Sequence, residues 1–185
     1  MEAELSNRKI FSEKILDYAL EQGFKESALF SNWFLSKTRF SKISASYVWS
    51  RSDSPWGRFT FRITNNDTNV EAEITRDSET DVLVVFEDRK DNRVALHIEN
   101  KLANGKFTKY QPEFYQQRAE AWLENEKFGR YSDYETVLVA PLEFYRNNFP
   151  ESQHFNKYVS YEEIAILLPE FAQYLRQYKN KDLLK

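Results

Sequence analysis

Asp81 opens the apolar run Val82-Leu83-Val84-Val85-Phe86, and Glu99 and Lys101 close the next one, Leu96-His97-Ile98-Glu99-Asn100-Lys101. Residues two apart on a strand point to one face. Glu99 and Lys101 are therefore expected side by side, with Asp81 supplied by the neighbouring strand. Two carboxylates and an amine at one sheet edge suit a hard cation with a cationic helper, which is what hydrolysis of a phosphodiester needs. Mg²⁺ or Mn²⁺ fits best, because both keep several waters and take few protein carboxylates. Such an ion would lower the pKa of a bound water and neutralise charge on the scissile phosphate. Lys101 would hold the attacking water or stabilise the pentacovalent phosphate as a compact charge with rotatable donors. The competing reading of Lys101 is a surface ion pair with Glu99, worth little stability.

These groups need strands and a helix to place them. Val94, Leu96 and Ile98 alternate with Ala95, His97 and Glu99, a period of two. The run 82–86 is continuously apolar and β-branched, as in a strand covered on both faces. The charged segment 87–93 between them is a hairpin-type turn. Helix is expected over 111–127, with Pro112 acceptable in its first turn. Gln111, Tyr115 and Arg118 then fall at i, i+4 and i+7, on one face. Gln111 and Tyr115 could orient Lys101 and water or bond phosphate, and Arg118 could contact backbone phosphate; the alternative for Tyr115 is helix–sheet packing. His97 shares the face of Glu99, and a partly buried, hydrogen-bonded histidine is expected there.

Upstream, 8–22 reads as an amphipathic helix with Ile10, Phe11, Ile15, Tyr18 and Ala19 near one face and Gly23 ending it. A second helix is expected over 26–37. Strands follow at 45–50 and 57–64, with a turn at Asn65-Asn66-Asp67. The alternating stretch 70–75 could pair beside 81–86. A strand is expected at 135–140, a helix near 142–149 interrupted by Pro150, and a last helix over 161–178. The fold class is α/β: a central mixed sheet flanked by helices.

The motifs resemble the PD-(D/E)xK nuclease superfamily, the restriction-endonuclease-like fold with an αβββαβ core. Thr80-Asp81 stands where that family has its "PD" aspartate, with threonine in place of proline. Glu99-Asn100-Lys101 matches "(D/E)xK", and Gln111-Pro112-Glu113-Phe114-Tyr115 matches QxxxY. Residues 134–141 resemble the fourth core strand and 159–164 the strand-to-helix segment that closes many members. The resemblance implies one domain over 1–185: N-terminal helices and strands to 68, core motifs over 69–168, and a C-terminal helix end from 169. It implies a Mg²⁺- or Mn²⁺-dependent nuclease with Asp81, Glu99 and the backbone carbonyl of Asn100 as ligands, and DNA rather than RNA as substrate. It also implies that Glu71 or Glu73 could add an acid to the site, or Glu26 from the preceding helix, and it leaves a homodimer open.

Composition bounds these readings. The chain has 185 residues and no cysteine, which excludes a disulfide framework, a zinc–thiolate centre and a cysteine nucleophile. No apolar run reaches membrane-spanning length, the N-terminus does not read as a signal sequence, and the cytoplasm is the expected compartment. The formal net charge of −3 counts against tight non-specific nucleic-acid binding. The segment 25–63 is nevertheless basic and aromatic. Its cations include Arg51 and Arg58, and interleaved aromatics could form a surface that tracks a phosphate backbone; core aromatics with solvated cations are the plainer reading. Two alternatives to a nuclease stay open: a catalytically inactive module of the same fold that binds nucleic acid or protein, and a structural subunit of a larger complex.

Overall fold

The computed structural model describes residues 11–53, 56–65 and 70–182. The start of the first expected helix and most of the turn at 65–67 lie outside them. Two helices, α1 (Glu13–Glu26) and α2 (Ala28–Ser36), precede β1 (Ala45–Arg51), β2 (Trp56–Asn65), β3 (Val70–Glu79), β4 (Val82–Asp88) and β5 (Arg93–Asn100). Then come α3 (Gln111–Ala121), β6 (Asp133–Ala140), α4 (Leu142–Asn147), α5 (Phe149–Ser152), β7 (Lys157–Ser160), α6 (Tyr161–Ile164) and α7 (Pro169–Asp182). The main sheet is mixed and has the order β1-β4-β5-β6-β7. β4 is antiparallel to β1 and β5, whereas β5, β6 and β7 run parallel. Helix α3 makes the crossover from β5 to β6.

Both faces of β4 are covered, which accounts for its unbroken apolar run. Val82, Val84 and Phe86 join the core formed with Leu16, Leu20 and Phe24 of α1 and with Phe30 and Phe34 of α2. Leu83 and Val85 pack on the other side with Trp122, Phe128 and Tyr131. Trp122 and Phe128 stack at 3.7 Å between ring centroids, a geometry that adds to their area burial.

Four expectations about elements are corrected. The buried face of α1 is Leu16, Asp17, Ala19, Leu20, Gly23 and Phe24, and Tyr18 is 60% exposed. Gly23 does not end α1. A Cβ there would lie 3.0 Å from Leu168 and from Phe30, so glycine serves close packing, and Ser27 terminates the helix after it by donating its N–H to the Gly23 carbonyl. Strand β3 does not flank β4. It pairs with β2 in a separate two-stranded sheet, because one of its faces carries Glu71, Glu73, Asp77 and Glu79 in solvent and would be costly to cover. The last expected helix is two, α6 and α7, separated by a turn, with Pro169 opening α7.

The β2–β3 ribbon is fastened to α3. The Gln117 side chain accepts from the Arg62 N–H at 2.8 Å and donates to the Arg62 carbonyl at 2.9 Å. On its inner face Phe61 stacks on Phe114 at 4.0 Å. Helix α3 thus fastens the ribbon near the end of the main sheet where β4 begins and β5 finishes.

Candidate functional site

At that end, Glu99 and Lys101 lie on the α3 side of β5 and are almost wholly buried, 1% and 6% exposed. The β5 backbone continues its pairing through Lys101, whose N–H donates to the Val139 carbonyl of β6 at 2.9 Å. Lys101 Nζ is 2.5 Å from Glu99 Oε1 and 3.8 Å from Glu13 Oε2. Glu99 Oε1 also accepts from Gln111 Nε2 at 2.7 Å. Gln111 is itself oriented: its Oε1 accepts from the Thr108 N–H at 3.0 Å, which leaves its amide nitrogen to face the carboxylate. Both donors converge on one oxygen, and Glu99 Oε2 is buried with no hydrogen-bond partner among the described residues. The surface-ion-pair reading of Lys101 is therefore replaced by a buried one.

Asp81 stands just before β4, and its Oδ2 accepts the Asn100 N–H at 2.8 Å. Burial, then the Glu99 and Asp17 carboxylates, push its pKa well above the ordinary range, against Lys101 and the Asn100 N–H. Tyr115 is fully buried in α3. Its hydroxyl accepts from the Asp81 N–H and donates to the Ile98 carbonyl, both at 3.4 Å. It packs against Leu138, Phe144 and Phe155, and burial raises its pKa well above the ordinary value, so it stays a phenol. Tyr115 is a positioning residue that ties β4, β5 and α3 together.

Burial by itself would lower the Lys101 pKa, but Glu99, Asp81 and Glu13 outweigh it and hold the group above its ordinary value. Lys101 is therefore a permanent ammonium near neutral pH, a charge donor rather than a base.

Two acids absent from the expected set join the site from α1. Asp17 Oδ1 accepts from the Asn100 side-chain amide at 2.6 Å, and Asn100 Oδ1 accepts from the Tyr161 hydroxyl at 2.6 Å. Glu13, one turn before Asp17, accepts weakly from the Leu102 N–H at 3.4 Å. Burial, with Glu99 and Glu13, pushes Asp17 up to about 7, opposed by Asn100 and Lys101. The signal available in the sequence was an aspartate beside Leu16 and Leu20 on an otherwise apolar helix face. Gly105 closes the same corner: a Cβ there would approach the Leu102 carbonyl at 3.0 Å and Glu13 Oε1 at 3.2 Å.

Three expected acids lie elsewhere. Glu26 is the last residue of α1 and does not open α2, whose N-cap is Ser27. Nine residues of helix, roughly 13 Å at 1.5 Å each, separate it from Asp17. Glu71 and Glu73 are exposed on the outward face of β3, where Glu73 lies 4.0 Å from Arg62.

Arg118 is 2% exposed. Its Nε donates to Thr80 Oγ1 at 3.0 Å and its Nη1 to Ser78 Oγ. Thr80, which stands where the resembled family has proline, in turn faces His97 Nδ1 at 3.2 Å, and His97 Nε2 faces Tyr131 Oη at 2.8 Å. Tyr131 spends its proton on the Ala119 carbonyl, so His97 must carry its proton on Nε2 and accept at Nδ1. Burial and Arg118 hold its pKa well below the ordinary value. His97 is a sealed, neutral structural group and takes no part in acid–base chemistry.

Of the expected substrate-binding residues on the N-terminal half, Arg51 pairs opposite Leu83 at the start of β4, the sheet end where Asp81 lies, and forms an ion pair with Asp53. Arg58 is exposed on the outward face of the ribbon opposite Asp77. Several aromatics of the segment are core: Phe34, Phe40 and Phe61 are buried. If these two arginines meet a nucleic-acid backbone, reversing both to glutamate should weaken binding and flatten its salt dependence, by about 0.7–0.9 in log–log slope for each phosphate no longer neutralised. An unchanged slope in a filter-binding salt series would assign them to the protein's own surface.

The donor chemistry fits a hard divalent cation. Asp81 and Glu99 offer carboxylate oxygens, one of them buried without a hydrogen-bond partner among the described residues, and Lys101 offsets only part of their charge. Among the described residues no group of three or more His, Asp or Glu side chains could hold a metal ion. Among the described residues, too, no helix is long and apolar enough to cross a membrane. No family model, curated protein or solved structure matches the chain.

Proposed function

We propose that the protein is a Mg²⁺- or Mn²⁺-dependent nuclease with a restriction-endonuclease-like core. The observation that carries this reading is the carboxylate of Glu99, held on one oxygen by Lys101 and Gln111 while its other oxygen is buried with no hydrogen-bond partner among the described residues. Glu99 is close enough to Asp81 to add to burial in raising the Asp81 pKa. A structural ion pair needs no second oriented donor and no unspent oxygen. The order helix, antiparallel strands, crossover helix and parallel strand supports the fold reading, and the motif resemblance favours DNA over RNA.

Bound between Asp81 and Glu99, the cation would supply charge neutralisation at the phosphate and acidify water. The chain's own groups do the rest. Gln111 fixes the plane of Glu99, and Tyr115 fixes Asp81 through its N–H. Lys101 presents an ammonium where charge grows on the phosphoryl oxygens, which lowers the barrier because it is placed before the reaction begins.

The deciding measurement is single-turnover incubation of plasmid, linear duplex, single-stranded DNA and RNA with Mg²⁺, Mn²⁺ or EDTA. Metal-dependent products from the wild type, absent with Glu99→Gln, are expected. No cleavage of any of the four by the wild type would overturn the reading and favour the binding module. Calorimetric titration with Mn²⁺ tests the ligands separately: Asp81→Asn and Glu99→Gln should each bind about tenfold more weakly or worse. Equal affinity in all three proteins would sink the assignment.

A further inference from the structure

We propose that the cleft between β3 and α3 is an anion subsite, in which Arg76 and Arg118 take a phosphate group of the substrate next to the carboxylate site. The substrate part of this rests on the nuclease reading; the capacity to bind phosphate does not.

The cleft has a volume of about 430 Å³; Arg76, Ser78, Thr108, Gln111, Phe114 and Arg118 line it, with Asp77 and Glu79 at its rim. Arg118 is a buried cation with no carboxylate within ion-pair distance among the described residues. Two of its nitrogens bond to hydroxyls, and Nη2 has no hydrogen-bond partner among the described residues. Arg76 repeats the pattern from the strand opposite: among the described residues its Nε is buried without a partner, and its Nη1 donates to the Lys109 carbonyl at 3.4 Å.

Both guanidinium groups are fixed by rings. Arg76 lies 4.7 Å over Phe114, which is stacked on Phe61, and Arg118 lies 4.0 Å over Tyr115. Stacking sets the guanidinium planes and leaves N–H groups unspent. A buried, unpaired charge is costly unless something compensates it, and a planar donor fork matches a phosphate.

The two acids at the cleft do not occupy this position. Asp77 and Glu79 alternate with Arg76 and Ser78 along β3, so they border the cleft as exposed residues at its rim while the arginine and serine face α3. Gln111 lines the cleft and bonds Glu99. A phosphate held there is one side chain from the candidate metal ligands, as a neighbouring phosphodiester or a terminal phosphomonoester of the same strand would be.

The test uses Arg76→Gln, with Arg76→Lys as a second variant that keeps the charge and loses the fork. Inorganic phosphate in EDTA, against chloride at matched ionic strength, should raise the melting temperature of the wild type and not that of Arg76→Gln. With Ca²⁺ in place of Mg²⁺, Arg76→Gln should bind labelled DNA oligonucleotides about tenfold more weakly than wild type, and Arg76→Lys should lie between. A weakening confined to the 5′-phosphorylated oligonucleotide identifies a terminal phosphate, and an equal weakening with the 5′-hydroxyl form an internal one. Equal oligonucleotide binding by wild type and both variants overturns the proposal, whatever free phosphate does. A wild type that cuts nothing but discriminates in both assays loses the nuclease reading and keeps the subsite; one that cuts while the variants match it loses only the subsite.

Discussion

Lys101→Gln should slow single-turnover cleavage by about a hundred- to a thousandfold, the usual cost of removing one preorganised electrostatic group. Glutamine can keep a hydrogen bond to Glu99 Oε1, so the variant isolates the charge. Three carboxylates, those of Glu99, Asp81 and Glu13, keep Lys101 protonated, and they also make it structurally expensive to lose. Deleting one partner of a buried ion pair typically costs about 3–5 kcal/mol. The metal-free variant should therefore melt well below the wild type, and rates must be compared at a temperature where circular dichroism shows both folded. Lys101→Arg separates the two contributions. It restores a positive charge and should recover most of the stability, but a planar guanidinium cannot take the place of a compact ammonium 2.5 Å from Glu99, so the rate should recover only in part. A folded Lys101→Gln protein that cuts at the wild-type rate would refute the role.

Asp17→Asn should stabilise the metal-free protein, and do so increasingly as pH rises. The carboxyl moves from an ordinary 3.8 to about 7 because it is buried beside other acids. The folded state then binds a proton between those two values that the unfolded state has released, so stability falls as pH rises from about 4 to about 7 and is level above. At 1.36 kcal/mol per pKa unit, the full decline is on the order of 4 kcal/mol. Asparagine carries no charge to desolvate and can still accept from Asn100. In EDTA, the gap between variant and wild-type melting temperatures should be small near pH 4 and should open to roughly 8–16 °C by pH 8. Parallel curves would mean that Asp17 is ionised at no cost, with its charge compensated by a group other than Lys101. A saturating divalent cation should narrow the gap, because it supplies compensation to the wild type.

Much of this site was legible because local sequence encodes it. The spacing Glu99-x-Lys101 fixes two side chains on one face of a strand whatever the strand packs against, and the i, i+4, i+7 spacing of Gln111, Tyr115 and Arg118 does the same on a helix. The apolar runs of β4 and β5 state which strands are covered. The contribution of α1 was not legible. Asp17 and Glu13 reach Asn100 and Lys101 across more than eighty residues of chain, and no periodicity within α1 says which of its faces will meet the end of β5. Glu26, expected to open the second helix as one of three further candidate acids, ends α1 instead, because Ser27 caps one helix and starts the next, a break too short to show in hydrophobic spacing.

The sequence by itself determined the alternation and face of the candidate catalytic residues, the α/β class and the absence of thiol chemistry, since each follows from residue type and short-range geometry. Tertiary structure alone decided that Lys101 is buried rather than solvated and that β3 leaves the main sheet for a ribbon. It also decided that His97 is sealed and that two arginines face one cleft with unspent donors. Those outcomes depend on which surfaces exclude water. Burial is what turns a charge from a solvated ornament into a group whose partners and pKa matter, and it is a property of the whole packed chain rather than of any segment.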